Sequence, residues 1–213
     1  MNCKIITASD DKFSELTKIW EKSVKSYCRD KDFVSYKVFK TPTNLGRPAA
    51  WFKLKAISEC IKEGGLDYVL WIDSDAVIQN LNFNVTDIFN SNKEIYISKD
   101  CSNEINAGVM AFKCSDYNLD FLEEVWNQDH LLGHVWYEQI AIIHLINNNY
   151  NNVNSNIEYV DGSVFNAYIQ KFYQSYGDIQ NKANKDSFVI HFPAIPLDVR
   201  LKEMKKIIYE NEN

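Results

Sequence analysis

An α/β fold built on a mainly parallel sheet, covered on both faces, follows from three features of the sequence. Strand-like and helix-like segments alternate from the first residues, and the segment 67–72, "DYVLWI", is apolar without alternation, as suits a strand buried on both sides. That segment also ends on two carboxylates, Asp73 and Asp75, at the kind of strand end where open α/β sheets bind ligands.

The elements follow in order. "CKIITA" (3–8) reads as a strand, "SDDKFSELTKIWEKSVKSY" (9–27) as a helix opened by a Ser/Asp cap, and "YKVFK" (36–40) as a second strand. After "TPTNLGRP" (41–48), "AAWFKLKAISECIKEG" (49–64) has helical spacing and a glycine stop, and the third strand is 67–72. Further strands are expected at 94–100, 107–113 and 188–192, and helices at 116–127, 136–147, 164–176 and 197–209. The Asn-rich stretch 147–156 reads as a polar linker inside the domain. Near the C-terminus, Leu201, Met204 and Ile208 form an apolar face that would pack on the core or lead into a further domain.

With 213 residues and 46% hydrophobic content, the chain can bury the core of one domain, and disorder is excluded. A net charge of -6 gives no general attraction to nucleic acid, so a phosphate-bearing ligand must be held locally by a metal or a few cations. No apolar run reaches the roughly 20 residues of a membrane span, and the N-terminus enters a strand rather than a signal peptide. Five scattered cysteines without CxxC spacing read as reduced packing residues, so a cytoplasmic location is expected.

Chemistry concentrates in a few places. In "VLWIDSDAVI" (69–78), two carboxylates one residue apart are costly at a buried strand end unless a cation compensates them. Mg²⁺ or Mn²⁺ would do so and leave coordination sites for a diphosphate; the bland alternative is an Asp-Ser74-Asp turn that merely ends the strand. His191, in "FVIHFPAIP", is ordinarily a hydrogen-bonded core residue, but in the same sheet as the acidic pair it would add a nitrogen ligand and favour Mn²⁺. In "NAGVMAFK", Asn106, Ala107 and Gly108 approach a strand, and the glycine allows either close contact with a ligand or a tight turn. Glu138 and Gln139 open a helix, where an acidic residue is ordinarily just favourable with the helix dipole. Lys53 and Lys55 cannot share a helix face, so one can point toward a phosphate while the other is solvated; Arg47 is a second basic candidate, though a loop arginine is ordinarily just surface charge.

Taken together, "WFKLKAI", "VLWIDSDAVI", "NAGVMAFKCSDYNLDFLEEVW", "WYEQIAI" and "VIHFPA" resemble the galactosyl/xylosyltransferase family of retaining glycosyltransferases, over roughly residues 49–194. The resemblance implies a single-domain A-type glycosyltransferase fold over 1–213 with a Rossmann-like central sheet. About 1–100 would bind the nucleotide and about 101–213 the sugar and acceptor. It implies a UDP-sugar donor, a glycan or glycoprotein acceptor including a viral capsid glycoprotein, and a Mn²⁺ (or Mg²⁺) ion held by Asp73, Asp75 and His191. It further implies donor contacts from Thr7, Ala8, Ser9, Lys53, Asn106 and Gly108, with Gln139, beside Glu138, across the anomeric carbon from the leaving group. Two departures stand out: no anchor or stem of the kind Golgi members carry, and "WYEQ" where two acidic residues commonly precede the glutamine. A different chemistry also fits "DSDAV", namely a haloacid-dehalogenase-type phosphatase with Asp73 as nucleophile and Asp75 as acid/base. That motif normally ends a first strand, and only "YGDIQ" here offers a downstream acidic partner.

Overall fold

The computed structural model describes residues 1–212; residue 213, the last of the expected domain, lies outside them. The chain opens with β1 (Cys3–Ser9), a short 3-10 turn whose Phe13 N–H is capped by the Asp10 carboxylate, α1 (Ser14–Cys28), β2 (Val34–Lys40) and α2 (Phe52–Glu63). The expected glycine stop of α2 is Gly64, in the left-handed region at φ +75°. β3 (Tyr68–Ile72) and β4 (Ala76–Ile78) flank the acidic turn, followed by β5 (Ile95–Lys99), β6 (Ile105–Lys113), α3 (Asp116–Trp126) and α4 (Glu138–Asn147). The chain closes with α5 (Val153–Asn156), β7 (Ile157–Tyr159), α6 (Gly162–Phe165), β8 (Val189–His191) and α7 (Leu197–Glu212).

Six strands form the central sheet in the order β2-β1-β3-β6-β5-β7. The β2-β1, β1-β3 and β5-β7 pairings are parallel, and β6 alone runs against its two neighbours. Side-chain alternation along β3 sends Val69 and Trp71 into the core under α2, α3 and α4, and Tyr68, Leu70 and Ile72 into the core beside α1. Every residue of β3 is buried, so the double coverage expected of this segment is what the structure shows. The C-terminal helix packs inward: Met204, Ile207 and Ile208 of α7 are buried against Leu16 and Ile19 of α1 and Val77 of β4. Among the described residues no helix is long and apolar enough to cross a membrane.

Three expectations need correction. β8 is not in the sheet of the acidic pair; it pairs antiparallel with β4, Ala76 opposite His191, in a separate two-stranded ribbon. The helix expected over 164–176 stops at Phe165. Beyond Asn166 the chain runs extended beside β8, with Ala167 N–H donating to Val189 O (2.9 Å) and His191 N–H to Ala167 O (2.8 Å). Tertiary pairing with β8 outcompetes the helical spacing there. The Asn-rich stretch is no linker either: Asn149, Asn151 and Asn152 take left-handed backbone angles that asparagine tolerates better than most residues, and they turn the chain from α4 into α5.

Candidate active site

Asp73 follows β3 directly and Asp75 precedes β4, joined by a tight turn in which Ala76 N–H donates to Asp73 O (3.0 Å). The turn holds both carboxylates at the floor of a cleft of about 960 Å³. His191 reaches the same point from β8, which the β4-β8 pairing sets opposite Ala76. One oxygen of each carboxylate and a His191 nitrogen lie within 4.8 Å of one another. His191 Nε2 is 3.3 Å from Asp75 Oδ1 and 4.0 Å from Asp73 Oδ2.

Cations hold each carboxylate from behind. Asp73 Oδ1 accepts from the Trp71 indole N–H (2.6 Å) and pairs with Lys53 Nζ (3.1 Å), which leaves Oδ2 toward His191. Asp75 Oδ2 pairs with Arg200 Nη1 at 2.8 Å, from the first turn of α7. Burial pushes the Asp75 carboxyl upward, but His191 and Arg200 outweigh it and hold the group below the usual aspartate range.

Lys53 is the centre of a second cluster. Its ammonium donates to Ala107 O (2.9 Å) and pairs with Glu138 Oε1 (2.7 Å) as well as Asp73. Burial alone would neutralise this lysine, yet the two carboxylates prevail and raise its pKa, so it stays charged. Glu138 is shifted upward chiefly by burial, which Lys53 only partly offsets. Lys55, on another face of the same helix, is exposed, its ammonium 4.3 Å from the Trp126 ring.

Gly108 acquires a specific reason. A Cβ there would sit 2.1 Å from His191 Cε1 and 2.7 Å from its Nδ1, so only glycine leaves room for the imidazole. Asn106 Oδ1 accepts from Gly108 N–H (2.9 Å) and from Asn166 Nδ2 (3.0 Å), and Asn166 Oδ1 faces His191 Nδ1 at 2.9 Å. Gln139 lines the cleft with its Oε1 accepting from Ala107 N–H at 3.0 Å. Just before it, Tyr137 has φ +50° and ψ -128°, a conformation costly for a residue with a side chain, and it is half exposed at the cleft mouth beside Trp136.

The cleft is lined by Ala8, Ser9, Lys53, Asp73, Ser74, Asp75, Asn106, Ala107, Gly108, Glu138, Gln139 and His191 of the residues singled out from sequence. Thr7 and Arg47 do not line it. Strand alternation turns Thr7 away from the face of Ile6 and Ala8 and buries it completely. The Arg47 guanidinium lies over Trp126 (4.2 Å), is bonded to the Trp126 carbonyl and is ion-paired with Asp129. Sequence reading missed three participants. Trp71, like Tyr68 an aromatic with a polar handle inside the third strand, was detectable there, and Arg200 as the first base after "HFPAIP". Asn166 left no signal, since it fell inside an expected helix.

The phosphatase reading fails on this geometry. Asp73 stands at the end of the third strand in sequence, and Asp178 of "YGDIQ" is 87% exposed and paired with Lys182 instead of entering the cleft.

Residues 87–195, half of the chain, match the galactosyl transferase GMA12/MNN10 family; the match begins downstream of the acidic pair and includes Asn106, Gly108, Glu138, Gln139, Asn166 and His191. No curated protein matches the sequence. Among solved structures, a glycosyltransferase involved in glycosylating the major capsid of PBCV-1 superposes with TM-score 0.76 at 17% identity, covering 97% of this chain and 100% of that one. The galactosyltransferase LgtC, solved with donor and acceptor sugar analogs, gives TM-score 0.65 at 14% identity, covering 97% and 95%. Mouse xyloside xylosyltransferase 1 gives TM-score 0.55 at 11% identity, covering 92% and 100%. At such identities the likeness establishes a shared fold, the A-type glycosyltransferase fold.

Proposed function

The chain belongs to the galactosyl transferase GMA12/MNN10 family and is a glycosyltransferase; from that premise we propose that it moves a sugar from a UDP-sugar, held on a divalent metal, to a glycan or glycoprotein acceptor with retention of configuration. The observation that carries this reading is the convergence of Asp73, Asp75 and His191 at the cleft floor. The donor set fits a metal on its chemistry: two carboxylate oxygens suit a hard cation, and one imidazole favours Mn²⁺ over Mg²⁺. Charge supports it too. Asp73, Asp75 and Glu138 pair with Lys53 and Arg200, so a dication would take this group of five charges from -1 to +1, which suits a diphosphate.

A metal held by Asp73, Asp75 and His191 would supply neutralisation of the negative charge that develops on the leaving diphosphate. This chain's residues do the rest. Lys53 anchors Asp73, Glu138 and the Ala107 carbonyl together, so the acidic turn, β6 and the start of α4 keep one geometry. Gln139 has its amide oxygen engaged by Ala107 N–H, which makes it a poor nucleophile and favours a supporting role beside the reacting sugar. Retention then follows from attack by the acceptor hydroxyl on the leaving-group side, its proton passing to the departing phosphate oxygen as the sugar-phosphate bond breaks. Ala8 and Ser9, at the end of β1, are the proposed nucleoside contacts, with residues 1–100 serving the nucleotide and 101–213 the sugar and acceptor.

On the acceptor side, Trp136, Tyr137 and Tyr176 line the cleft while 45–56% exposed, and their rings offer flat apolar faces to sugar C–H groups. The major capsid glycosylation named for the PBCV-1 neighbour makes a viral capsid glycoprotein the first acceptor class to try; a host-cytoplasmic location is part of the same proposal. The test is calorimetric titration of UDP and a panel of UDP-sugars with Mn²⁺ and then with EDTA, on wild type and Asp75→Ala. Binding that needs both the metal and Asp75 supports the proposal. Equal binding in EDTA would remove the metal from it, and no binding of any UDP-sugar would remove the donor.

A further inference from the structure

The backbone N–H of Gly108 can only donate. It lies 2.9 Å from the Asn106 side-chain oxygen, which fixes the orientation of that amide. The same oxygen accepts again at 3.0 Å from Asn166, so Asn166 must turn its NH₂ toward Asn106. Its carbonyl oxygen is then the atom 2.9 Å from His191 Nδ1, and a carbonyl can only accept. Nδ1 therefore carries a proton. Asn106, Asn166 and His191 are 7%, 0% and 3% exposed, so water does not compete for these bonds. Asn181 Nδ2 donates to Asn166 O at 3.0 Å, which pins the backbone of Asn166, and the Tyr168 ring meets the imidazole edge-on with centroids 5.7 Å apart.

We propose that Asn166 and Asn106 are positioning residues that hold the His191 proton on Nδ1, so that Nε2 presents a bare lone pair to a divalent cation between Asp73 and Asp75. The inference rests on the metal reading of the site. It assigns a role to Asn166, at the point where α6 gives way to the extended segment beside β8. It also explains why Asn106 and Gly108 sit side by side: one orients the relay and the other makes room for the ring. A neutral imidazole free in water prefers its proton on Nε2, so the relay works against that preference and keeps the ligand atom available. Partners of this kind behind a metal-binding imidazole typically contribute 10- to 100-fold in metal affinity.

Long-range ¹H–¹⁵N correlation spectra of the metal-free, ¹⁵N-labelled protein at about pH 8 report which imidazole nitrogen is protonated, with the His191 signals identified by their loss in His191→Gln. The expected wild-type signature is a proton on Nδ1, whether or not Nε2, 3.3 Å from Asp75 Oδ1, also carries one in the absence of metal. In Asn166→Ala and Asn106→Ala the proton should redistribute toward Nε2, and Mn²⁺ affinity, titrated without nucleotide, should fall roughly 10- to 100-fold. Asn166→Asp keeps an oxygen facing Nδ1 and should retain Nδ1–H. A wild type whose Nδ1 is unprotonated overturns the proposal before any variant is needed. So does a folded alanine variant whose tautomer is unchanged. A wild type with Nδ1–H that binds no Mn²⁺ overturns the metal reading instead and leaves the tautomer assignment in place.

Discussion

Lys53→Met removes the one cation that bridges Asp73 and Glu138 while keeping most of the side-chain volume. The Lys53 side chain is 5% exposed and that of Glu138 4%, with Nζ and Oε1 2.7 Å apart. Two unit charges at that separation attract by about 6 kcal/mol at an effective dielectric near 20, before desolvation is counted. Removing one partner of such a pair leaves the other charge buried, and the usual cost is about 3–5 kcal/mol. For a chain of this size that is a drop in Tm of roughly 6–20 °C. Glu138, already shifted upward by burial, then loses the attraction that opposed the shift. A carboxyl whose folded pKa is raised contributes stability below its unfolded pKa and loses it as pH rises through the folded value. The deficit of Lys53→Met against wild type should therefore be small near pH 5 and widen as Glu138 ionises toward pH 8. Adding Glu138→Gln should recover much of it. The assay is urea unfolding of the four members of this double-mutant cycle across that pH range. A single-variant cost under about 1 kcal/mol at pH 8, or a larger one that neither pH nor Glu138→Gln alters, would refute the reasoning.

Gly108→Ala should fold with a loss of about 1–3 kcal/mol, because its Cβ has to displace the His191 ring, and its Mn²⁺ affinity should fall at least 10-fold; unchanged titration with Mn²⁺ would show that the ring is not where the ligand sits. Asp75→Asn should unfold at lower temperature than wild type at neutral pH in EDTA. The depressed pKa of Asp75 stabilises the fold above the ordinary aspartate value near 3.9, and this is lost as pH falls through the lower folded value, so the two melting curves should converge in acid.

The local chemistry was legible where one side chain states its own cost. Two aspartates at the end of an all-apolar strand had to be compensated, and the structure surrounds them with Lys53, Arg200, Trp71 and His191. The alternating elements and the parallel start of the sheet were legible as well, because β1, α1, β2 and α2 show in their local spacing and β3 in its unbroken apolar run. Arg47 misled because an arginine in a loop next to a phosphate-site candidate carries no mark of the two tryptophans that hold it elsewhere. Thr7 misled because position at a strand end does not state which face a side chain takes, and alternation turns this one to the buried side.

What the sequence determined by itself was therefore the inventory: apolar strands, a costly acidic pair, a glycine in an approach strand, an isolated histidine among apolar residues. Only the tertiary structure decided who meets whom. Asn166 lies 60 residues from Asn106 and 25 from His191, and Arg200 reaches back to Asp75 across the chain. No local pattern encodes such contacts: the first two arise when the segment after α6 abandons helical bonding to pair with β8, and the last when α7 packs back on the core, choices made by packing and hydrogen bonds distant in sequence.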